Sequence, residues 1–287
     1  WTEGIAPGEQ PPAPEPVLDQ QQGDAAPRGR FVPSDMMPDQ DSITAPDTAE
    51  FKAWFDDSDV VNEDGTPLVV VHATDAREIG GEQFDVFNTH TELGAHFGNS
   101  AQSNQIVAGV DTGAPRSIPA FLSIQNPLRL IDQGQFTSAY VIEQLEGLGI
   151  LRPGSAVDKA LSQLEVDHEE TMIPALQQII KDAGYDGVVY LNRREGLGDG
   201  LGEVGGYGPF EETQVSDEQF RLDNPLAADS YIAFDPEQIK SAIGNEGTFD
   251  PNDPSILKQN RDGAARGSFG QEQDTYGDIS NIISLTE

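Results

Sequence analysis

The apolar residues of this chain occur in short runs between residues 49 and 257, which restricts a packed core to the middle of the sequence. Only 36% of the 287 residues are hydrophobic, a low fraction for a fully packed chain. The first 48 residues hold seven Pro before position 34, with nine acidic and two basic residues. Such a segment buries too little apolar surface to offset its ordering entropy. We therefore predict a disordered, Pro-rich acidic arm over 1–48 and a flexible tail over 258–287.

The middle of the chain shows periodic patterns typical of short helices and strands. The segment TAEFKAWFDDSDVV predicts an amphipathic helix with Phe51, Trp54 and Phe55 on one face, and PLVVVHAT predicts a buried strand. Further strands are predicted at 118–124, 187–191 and 230–234, and helices at about 137–147, 155–164 and 169–183. Because the strands and helices do not alternate regularly, the pattern indicates an α+β fold rather than a doubly wound sheet.

A Gly-rich segment interrupts the predicted domain before its last strand. Seven of the 13 residues 196–208 are Gly. A loop of this length without its own structure is uncommon in a compact domain and is usually either functional or disordered. We predict a loop insertion over 196–228 and leave both alternatives open.

The charge and the composition exclude several classes of function. The formal net charge is −34 and the chain has no Cys. The middle, 49–245, carries 33 acidic and 11 basic residues, a net charge of −22. We therefore expect no nucleic-acid partner, no anionic membrane surface and no thiol nucleophile. There is no apolar run of about 18 residues to predict a transmembrane helix. Because the chain begins with Trp, we expect a processed product or a piece of a longer chain.

The four His residues do not form a metal motif, and two common catalytic motifs are absent from the sequence. His90 and His96 lack HExxH spacing and a third ligand, so we expect no metal site, and His168 lies in an acidic predicted helix. His72 ends an apolar strand, where both a structural and a binding role are open. GLGDGLGEVGG does not follow a strand and open a helix, so it is no dinucleotide fingerprint, and no GxSxG elbow occurs.

The order of several sequence blocks carries a family resemblance. FKAWFDDSDVV, VVVHATDA, FDVFNTHTELGAHFGNSAQSN, IPAFLSIQNPLRL, AGYDGVVYLN and DSYIAFDPEQIKSAIGNEGTFDPNDPSIL follow one another along 49–257. This series resembles the ADP-ribosyltransferase-like domains of phage and prophage polyvalent proteins. That family is similar to the histidine-type ADP-ribosyltransferases, which include poly-ADP-ribose polymerases and diphtheria-type toxins. The resemblance implies a split pair of small antiparallel sheets that hold NAD in a central cleft.

The first motif of that superfamily is a strand that ends in His-Gly-Thr. In this chain it reads His72-Ala73-Thr74, with Ala in place of Gly. The resemblance implies that His72 binds the ribose on the adenine side of NAD, that Thr74 supports it, and that Ala73 lies against the cofactor.

The second motif is Gly-x-Tyr-Phe, whose Tyr stacks on nicotinamide. In this chain Gly94-Ala95-His96-Phe97 precedes Gly98, so His96 stands in the position of the Tyr. The resemblance implies that His96 stacks on the nicotinamide ring and that Gly94, Phe97 and Gly98 help to bind the cofactor. Gly at two of these positions also permits close approach of the backbone.

The third motif is an acidic residue at the start of a strand that continues Tyr-Ile-x-Phe-Asp. Alignment on Tyr231, predicted to contact the cofactor, places Ser230 at the acidic position, with Asp229 immediately before it. Ser can keep a hydrogen bond to the ribose 2′-hydroxyl but supplies no negative charge. We therefore predict that Asp229, Ser230 or Glu195 occupies the acidic corner. Loss of such an electrostatic group typically costs about 3–4 kcal/mol in the transition state.

The resemblance implies an NAD-dependent ADP-ribosyltransferase that modifies a host macromolecule, with a basic protein as the expected target. The expected setting is the phage virion, or the host bacterial cytoplasm after delivery, with virion components as further partners. Two rival hypotheses remain open from the sequence. One is a virion or interaction protein that keeps the scaffold without catalysis, and the other is an acidic antitoxin-like or DNA-mimicking protein.

Overall fold

A computed structural model describes most of the middle of the chain. The described residues are 32–33, 38–74, 86–90, 92–109, 116–134, 136–162, 169–197, 215–245, 247 and 249–257. Several of the predictions above fall wholly or partly outside these residues, among them His168, most of the 1–48 arm, much of the 196–228 loop and the 258–287 tail.

The described chain contains eight strands and six α-helices. In chain order they are β1 (Val32–Pro33), α1 (Ala49–Phe55), β2 (Val70–Thr74), β3 (Ala95–Phe97), α2 (Ser100–Gly109), β4 (Arg116–Leu122), β5 (Pro127–Leu130), α3 (Ser138–Gly147), α4 (Ala156–Leu161), α5 (Glu169–Asp182), β6 (Gly187–Leu191), α6 (Asp217–Asp223), β7 (Asp229–Ala233) and β8 (Ile239–Ser241). The sequence did not predict β1, β3, α2, β5, α6 or β8, and β1 lies in the segment 1–48 that was predicted to be a disordered arm.

The first sheet is antiparallel and is built around β4. Strand β2 pairs with one edge of β4, while β1 and β8 pair with it at its two ends. Helix α1 packs on this sheet because Phe51, Trp54 and Phe55 form one apolar face against Phe121 and Phe249. The Thr48 hydroxyl accepts a hydrogen bond from the Phe51 amide and caps the helix.

The second sheet has the order β3-β7-β6-β5. Its β3–β7 and β6–β7 pairs are antiparallel, as predicted for this fold. The β5–β6 pair is parallel, because α3, α4 and α5 provide the crossover that a parallel pair requires. The predicted α+β fold with two sheets is therefore confirmed, with one parallel pair as a departure.

Two apolar layers enclose the second sheet. Residues such as Val70, Leu122 and Tyr231 fill the space between the two sheets. On its other face, Val188 and Ile232 pack against Leu176 and the rest of α3–α5. Because side chains alternate along a strand, neighbouring residues of β7 enter different layers. This alternation decides which residues of β7 can reach the site.

The two sheets meet where β2 approaches the end of β3. The amide of Val71 donates to the Gly98 carbonyl at 2.7 Å, and the Gly98 amide donates to the Val71 carbonyl at 3.0 Å. Upstream of the predicted domain start, the side-chain oxygen of Gln40 accepts from the amide and the hydroxyl of Ser100. Part of the 1–48 segment therefore packs against the start of α2.

Candidate functional site

A cavity of about 500 Å³ lies beside the junction of the two sheets. Its walls come from β2, β3, α2, α5, β6, β7, the segment before β3 and the loops that follow β5 and β6. Seven of the residues predicted for the site line it: His72, Ala73, His96, Phe97, Gly98, Glu195 and Ser230. The structure thus brings together segments that are up to 158 positions apart in the chain, between His72 and Ser230.

His72 is held in one orientation by the neighbouring sheet. Its Nδ1 lies 2.7 Å from the His96 carbonyl oxygen, so Nδ1 carries the proton and donates this bond. The ring packs edge-on against Phe87 at 4.9 Å and near Phe97 at 5.5 Å. Burial among these groups lowers the pKa of His72 to about 4. At neutral pH His72 therefore presents an uncharged imidazole, whose Nε2 can accept a hydrogen bond.

His96 is part of an aromatic wall of the cavity. Its Nε2 donates to the Glu92 carbonyl at 2.6 Å, and its Nδ1 lies 3.3 Å from the Tyr190 hydroxyl. Phe136 packs 5.6 Å from the His96 ring and 4.7 Å from the Tyr190 ring. Burial lowers the pKa of His96, so the imidazole is neutral and its Nδ1 accepts from Tyr190. Three rings thus form a surface suited to a planar aromatic ligand.

The Ser230 hydroxyl belongs to a buried amide network. It donates to Gln102 Oε1 at 3.2 Å and accepts from Asn192 Nδ2 at 3.2 Å. Gln102 and Asn99 exchange backbone-to-side-chain bonds at the start of α2, an arrangement that resembles a capping box. Ser230, Gln102 and Asn192 are each at most 4% exposed. The hydroxyl is therefore fixed in position by two amide side chains.

Glu195 supplies a carboxylate to the cavity from the loop after β6. Its backbone amide donates to Asn192 Oδ1 at 2.9 Å. Burial is the largest cause of the raised pKa of Glu195, and the nearby Asp132 raises it further. A half-buried carboxylate with a raised pKa can both stabilise positive charge and accept a proton.

Asp229 and Tyr231 do not line the cavity, although both were predicted to belong to the site. The alternation along β7 directs Ser230 to the cavity and its two neighbours to the opposite face. There Asp229 accepts from Arg129 at 2.7 Å and from Arg221 at 2.6 Å. Tyr231 is 7% exposed and packs in the core between the sheets.

Gly94 and Thr74 also lie outside the cavity lining. Gly94 has φ +144°, and a Cβ placed on it would lie 2.5 Å from the Ala233 carbonyl oxygen. Gly is therefore required at this position for the approach of the chain to β7. Thr74 ends β2 opposite Arg116, next to Ala73, which does line the cavity.

The family comparison adds an independent observation to this geometry. Residues 62–249 match the family described as ADP-ribosyltransferase in polyvalent proteins. The chain belongs to this family. No curated protein and no solved structure gives a significant match to the chain. The matched range contains every residue predicted for the site, and it lies within the predicted domain of 49–257.

Several cavity residues of this ADP-ribosyltransferase domain were not predicted from the sequence. Tyr190, Asn192, Gln102, Asp132 and Phe136 all line the cavity. A signal for two of them was present, because Tyr190 is the last but one residue of the predicted strand GVVYL and Asn192 directly follows that strand. Polar residues at a strand end often belong to a pocket. Gln102 carried no such signal, since α2 itself was not predicted.

The structure shows which cations of this family member lie near enough to offset the negative field around an anionic dinucleotide. The sequence offers five Arg residues near its motifs: Arg77, Arg116, Arg129, Arg193 and Arg194. Among the described side chains, Arg194 lines the cavity. Arg129 and Arg193 both bind Asp217 at 2.8 Å and do not line the cavity. Arg77 and the side chain of Arg116 lie outside the described part.

No helix among the described residues is long and apolar enough to cross a lipid bilayer. No group of three or more His, Asp or Glu side chains within them is arranged to hold a metal ion.

Proposed function

We propose that this protein uses NAD as the donor of ADP-ribose and transfers that group to a protein of a bacterial host. In this proposal His72 binds the ribose on the adenine side, while His96 packs against nicotinamide. Ser230 binds the ribose next to nicotinamide, and Glu195 supplies the negative charge. Membership of the ADP-ribosyltransferase family supports the reaction class.

The observation that carries the proposal is the convergence of His72, His96, Ser230 and Glu195 on one cavity. These residues come from β2, β3, β7 and the loop after β6, so their meeting is a consequence of the fold and not of sequence proximity. The cavity volume of about 500 Å³ lies within the range of small-molecule sites. Its neutral imidazoles and aromatic wall suit a ligand with a planar ring and sugar hydroxyls.

The proposed reaction needs little covalent participation by the protein. The bond between C1′ of the ribose and the nicotinamide nitrogen breaks, and its electron pair neutralises the pyridinium ring. An acceptor nucleophile forms a bond to C1′ and gives up its proton, which the Glu195 carboxylate can accept. Positive charge develops on the ribose during this exchange. A fixed carboxylate beside it stabilises the transition state more than the bound substrate.

The choice of Glu195 over Asp229 follows from their surroundings. Both guanidinium groups that bind Asp229 lie on the face of the sheet away from the cavity lining. Glu195 lines the cavity together with Ser230. The acidic position of the family motif is thus divided, with the hydrogen bond from Ser230 on β7 and the charge from Glu195 on a loop.

The proposed target is a basic protein, in a phage or prophage setting. The net charge of −34 favours encounter with a cationic partner and makes that encounter sensitive to salt. We propose that the protein is carried with the virion or acts in the host cytoplasm after delivery. The family description, which names polyvalent proteins, supports this setting.

The experiment that tests the function uses NAD labelled either in adenine or in nicotinamide. The chain is incubated with each form and a bacterial lysate. We expect the adenine label to enter protein while the nicotinamide label is released to solution, and we expect transfer to fall as salt is raised. Release of nicotinamide without protein labelling would overturn the transfer step. Intact NAD in both reactions would overturn the enzyme assignment.

A non-catalytic scaffold is the second candidate, because Ser230 replaces the acidic residue of the motif. A cavity without a carboxylate would favour this alternative. Glu92, Asp132 and Glu195 all line the cavity, which supports the catalytic proposal. In the labelling experiment, the scaffold alternative predicts that NAD binds and remains intact.

A further inference from the structure

The turn that carries Glu195 is held by side chains along its whole length. Asn192 Oδ1 accepts the amides of Arg194 and Glu195, each at 2.9 Å. Asp132 Oδ2 accepts the amide of Arg193 at 2.7 Å. Asp132 is 4% exposed and lies in the loop after β5, so the turn is attached to a different part of the sheet.

The last amide of the turn is held from helix α2. Gln105 Oε1 accepts the amide of Gly196 at 2.8 Å, and Gln105 Nε2 donates to the Arg194 carbonyl at 3.3 Å. Gly196 has φ +76°, and a Cβ on it would lie 2.8 Å from Gln102 Cγ. The chain therefore passes very close to α2 at this point. Four successive backbone amides of 193–196 thus each meet a side-chain oxygen.

Asn192 connects this turn to the Ser230 hydroxyl. While its oxygen holds the amides of the turn, its Nδ2 donates to Ser230 Oγ at 3.2 Å. The side chain is 4% exposed and lines the cavity. One amide group therefore fixes the relative position of the hydroxyl on β7 and the segment that carries Glu195.

We propose that Asn192 is a positioning residue that sets the Glu195 carboxylate beside the Ser230 hydroxyl, and that Asp132 and Gln105 complete the cradle of the turn. This inference rests on the proposed function, in which Ser230 and Glu195 together take the role of the acidic residue of the motif. Asn192 would position both of them. A small displacement of a catalytic group can lower a rate by about 10²-fold even when the fold is intact.

The ionisation of Glu195 reports on this arrangement. Apart from burial, the charged groups that act on its pKa are Asp132 from the loop after β5 and Arg194 beside it, and Glu195 in turn raises the pKa of Tyr190 on β6. Asp132 raises the pKa of Glu195, whereas Arg194 and the hydrogen bond with Asn192 lower it. Removing the Asn192 side chain should therefore raise the pKa of Glu195 further. If the reaction needs the carboxylate form, the acidic limb of the rate profile then moves to higher pH.

The test measures nicotinamide release from NAD by the full chain, as a function of NAD concentration and pH. For Asn192→Ala we expect kcat to fall about 10–100-fold with KM within about twofold, and the acidic limb to move to higher pH. Asn126→Ala is the matched control, because Asn126 Nδ2 binds the Gly184 carbonyl in an exposed loop that does not line the cavity. We expect that control to keep the wild-type kcat and pH profile.

A second variant keeps the inference testable if Asn192→Ala fails to fold. Gln105→Ala removes one support of the turn from α2 and leaves a good helix former in its place. We expect the same direction of change in kcat, with a smaller size. If either variant folds and keeps the wild-type kcat and an unchanged acidic limb, the positioning role of Asn192 is overturned. Absence of nicotinamide release by the unsubstituted chain would instead overturn the proposed function.

Discussion

Replacing Glu195 with Gln should lower the rate of NAD cleavage by about 10²–10³-fold, the usual cost of losing one preorganised electrostatic group. The substitution keeps the size of the side chain and removes its charge. Because Ser230 provides only a hydroxyl, Glu195 is the cavity carboxylate to which we assign stabilisation of the cationic ribose. Nicotinamide release under saturating NAD measures the effect, since saturation separates the chemical step from binding.

The matched control for this substitution is Asp229→Asn. It makes the same change from carboxylate to amide one residue before Ser230, on the opposite face of β7. Asp229 is held by Arg129 and Arg221, whose partly exposed ion pairs contribute little each. We expect its cleavage rate to stay within about threefold of wild type. A large loss in Asp229→Asn together with normal activity in Glu195→Gln would reverse our assignment of the carboxylate.

Replacing Gly94 with Ala should destabilise the protein by about 3–5 kcal/mol, through overpacking and an unfavourable positive φ together. The new Cβ would lie 2.5 Å from the Ala233 carbonyl oxygen and 2.6 Å from Ile232 Cγ2. The first of these is backbone, so no side-chain rotation relieves the contact. Because domains of this kind have only about 5–15 kcal/mol of stability, we expect a melting temperature lower by roughly 10 °C.

Gly149 offers a control that separates backbone strain from crowding. It also has positive φ, at +74°, but nothing lies within 4 Å of a Cβ placed on it. Ala at that position should cost only about 1–2 kcal/mol. Thermal unfolding of the two variants measures the difference. Equal losses of stability in both would show that the close approach of Gly94 to β7 does not matter.

The secondary structure was predictable where the apolar period was unambiguous. Strand β6, Gly187–Leu191, has the predicted bounds. Its five consecutive residues are all buried and lie between turns, a pattern that fits a short buried strand. Helices α3 and α5 also lie where the pattern placed them. Helix α2 was missed because SAQSNQIVAG has few apolar residues and its stability comes from contacts of Gln102 and Ser103.

The site was predictable only as far as local motifs reach. His72 and His96 were found because each belongs to a short motif on a strand. The sequence left Asp229, Ser230 and Glu195 as alternatives for the acidic position. Three-dimensional information was needed to show that Ser230 and Glu195, which are 35 positions apart, line the same cavity and that Asp229 does not. Because side chains alternate along β7, Asp229 and Ser230 point to opposite faces, and Asp229 is excluded from the cavity. The sequence alone does not tell which of the two faces the cavity.

Part of the negative charge of the chain lies at the cavity. Three carboxylates and one guanidinium line the cavity in the described part of the chain: Glu92, Asp132, Glu195 and Arg194. Burial raises the pKa of Tyr190, and the charges of Asp132, Glu195 and Glu92 raise it further, so these carboxylates act on the same end of the cavity. That end suits the positively charged nicotinamide and the ribose cation that forms after it. In the proposed function, the pyrophosphate of NAD is bound by donors other than these carboxylates.

The measurement that tests the central claim most directly is a calorimetric titration of the full chain with NAD, beside His72→Ala. The claim is that NAD binds in the cavity at the junction of the two sheets, held in part by the neutral imidazole of His72. We expect one binding site in the wild-type chain and an affinity at least about tenfold lower in His72→Ala, the equivalent of about 1.4 kcal/mol. No binding of NAD to the wild-type chain, or equal binding by the folded variant, would contradict the claim.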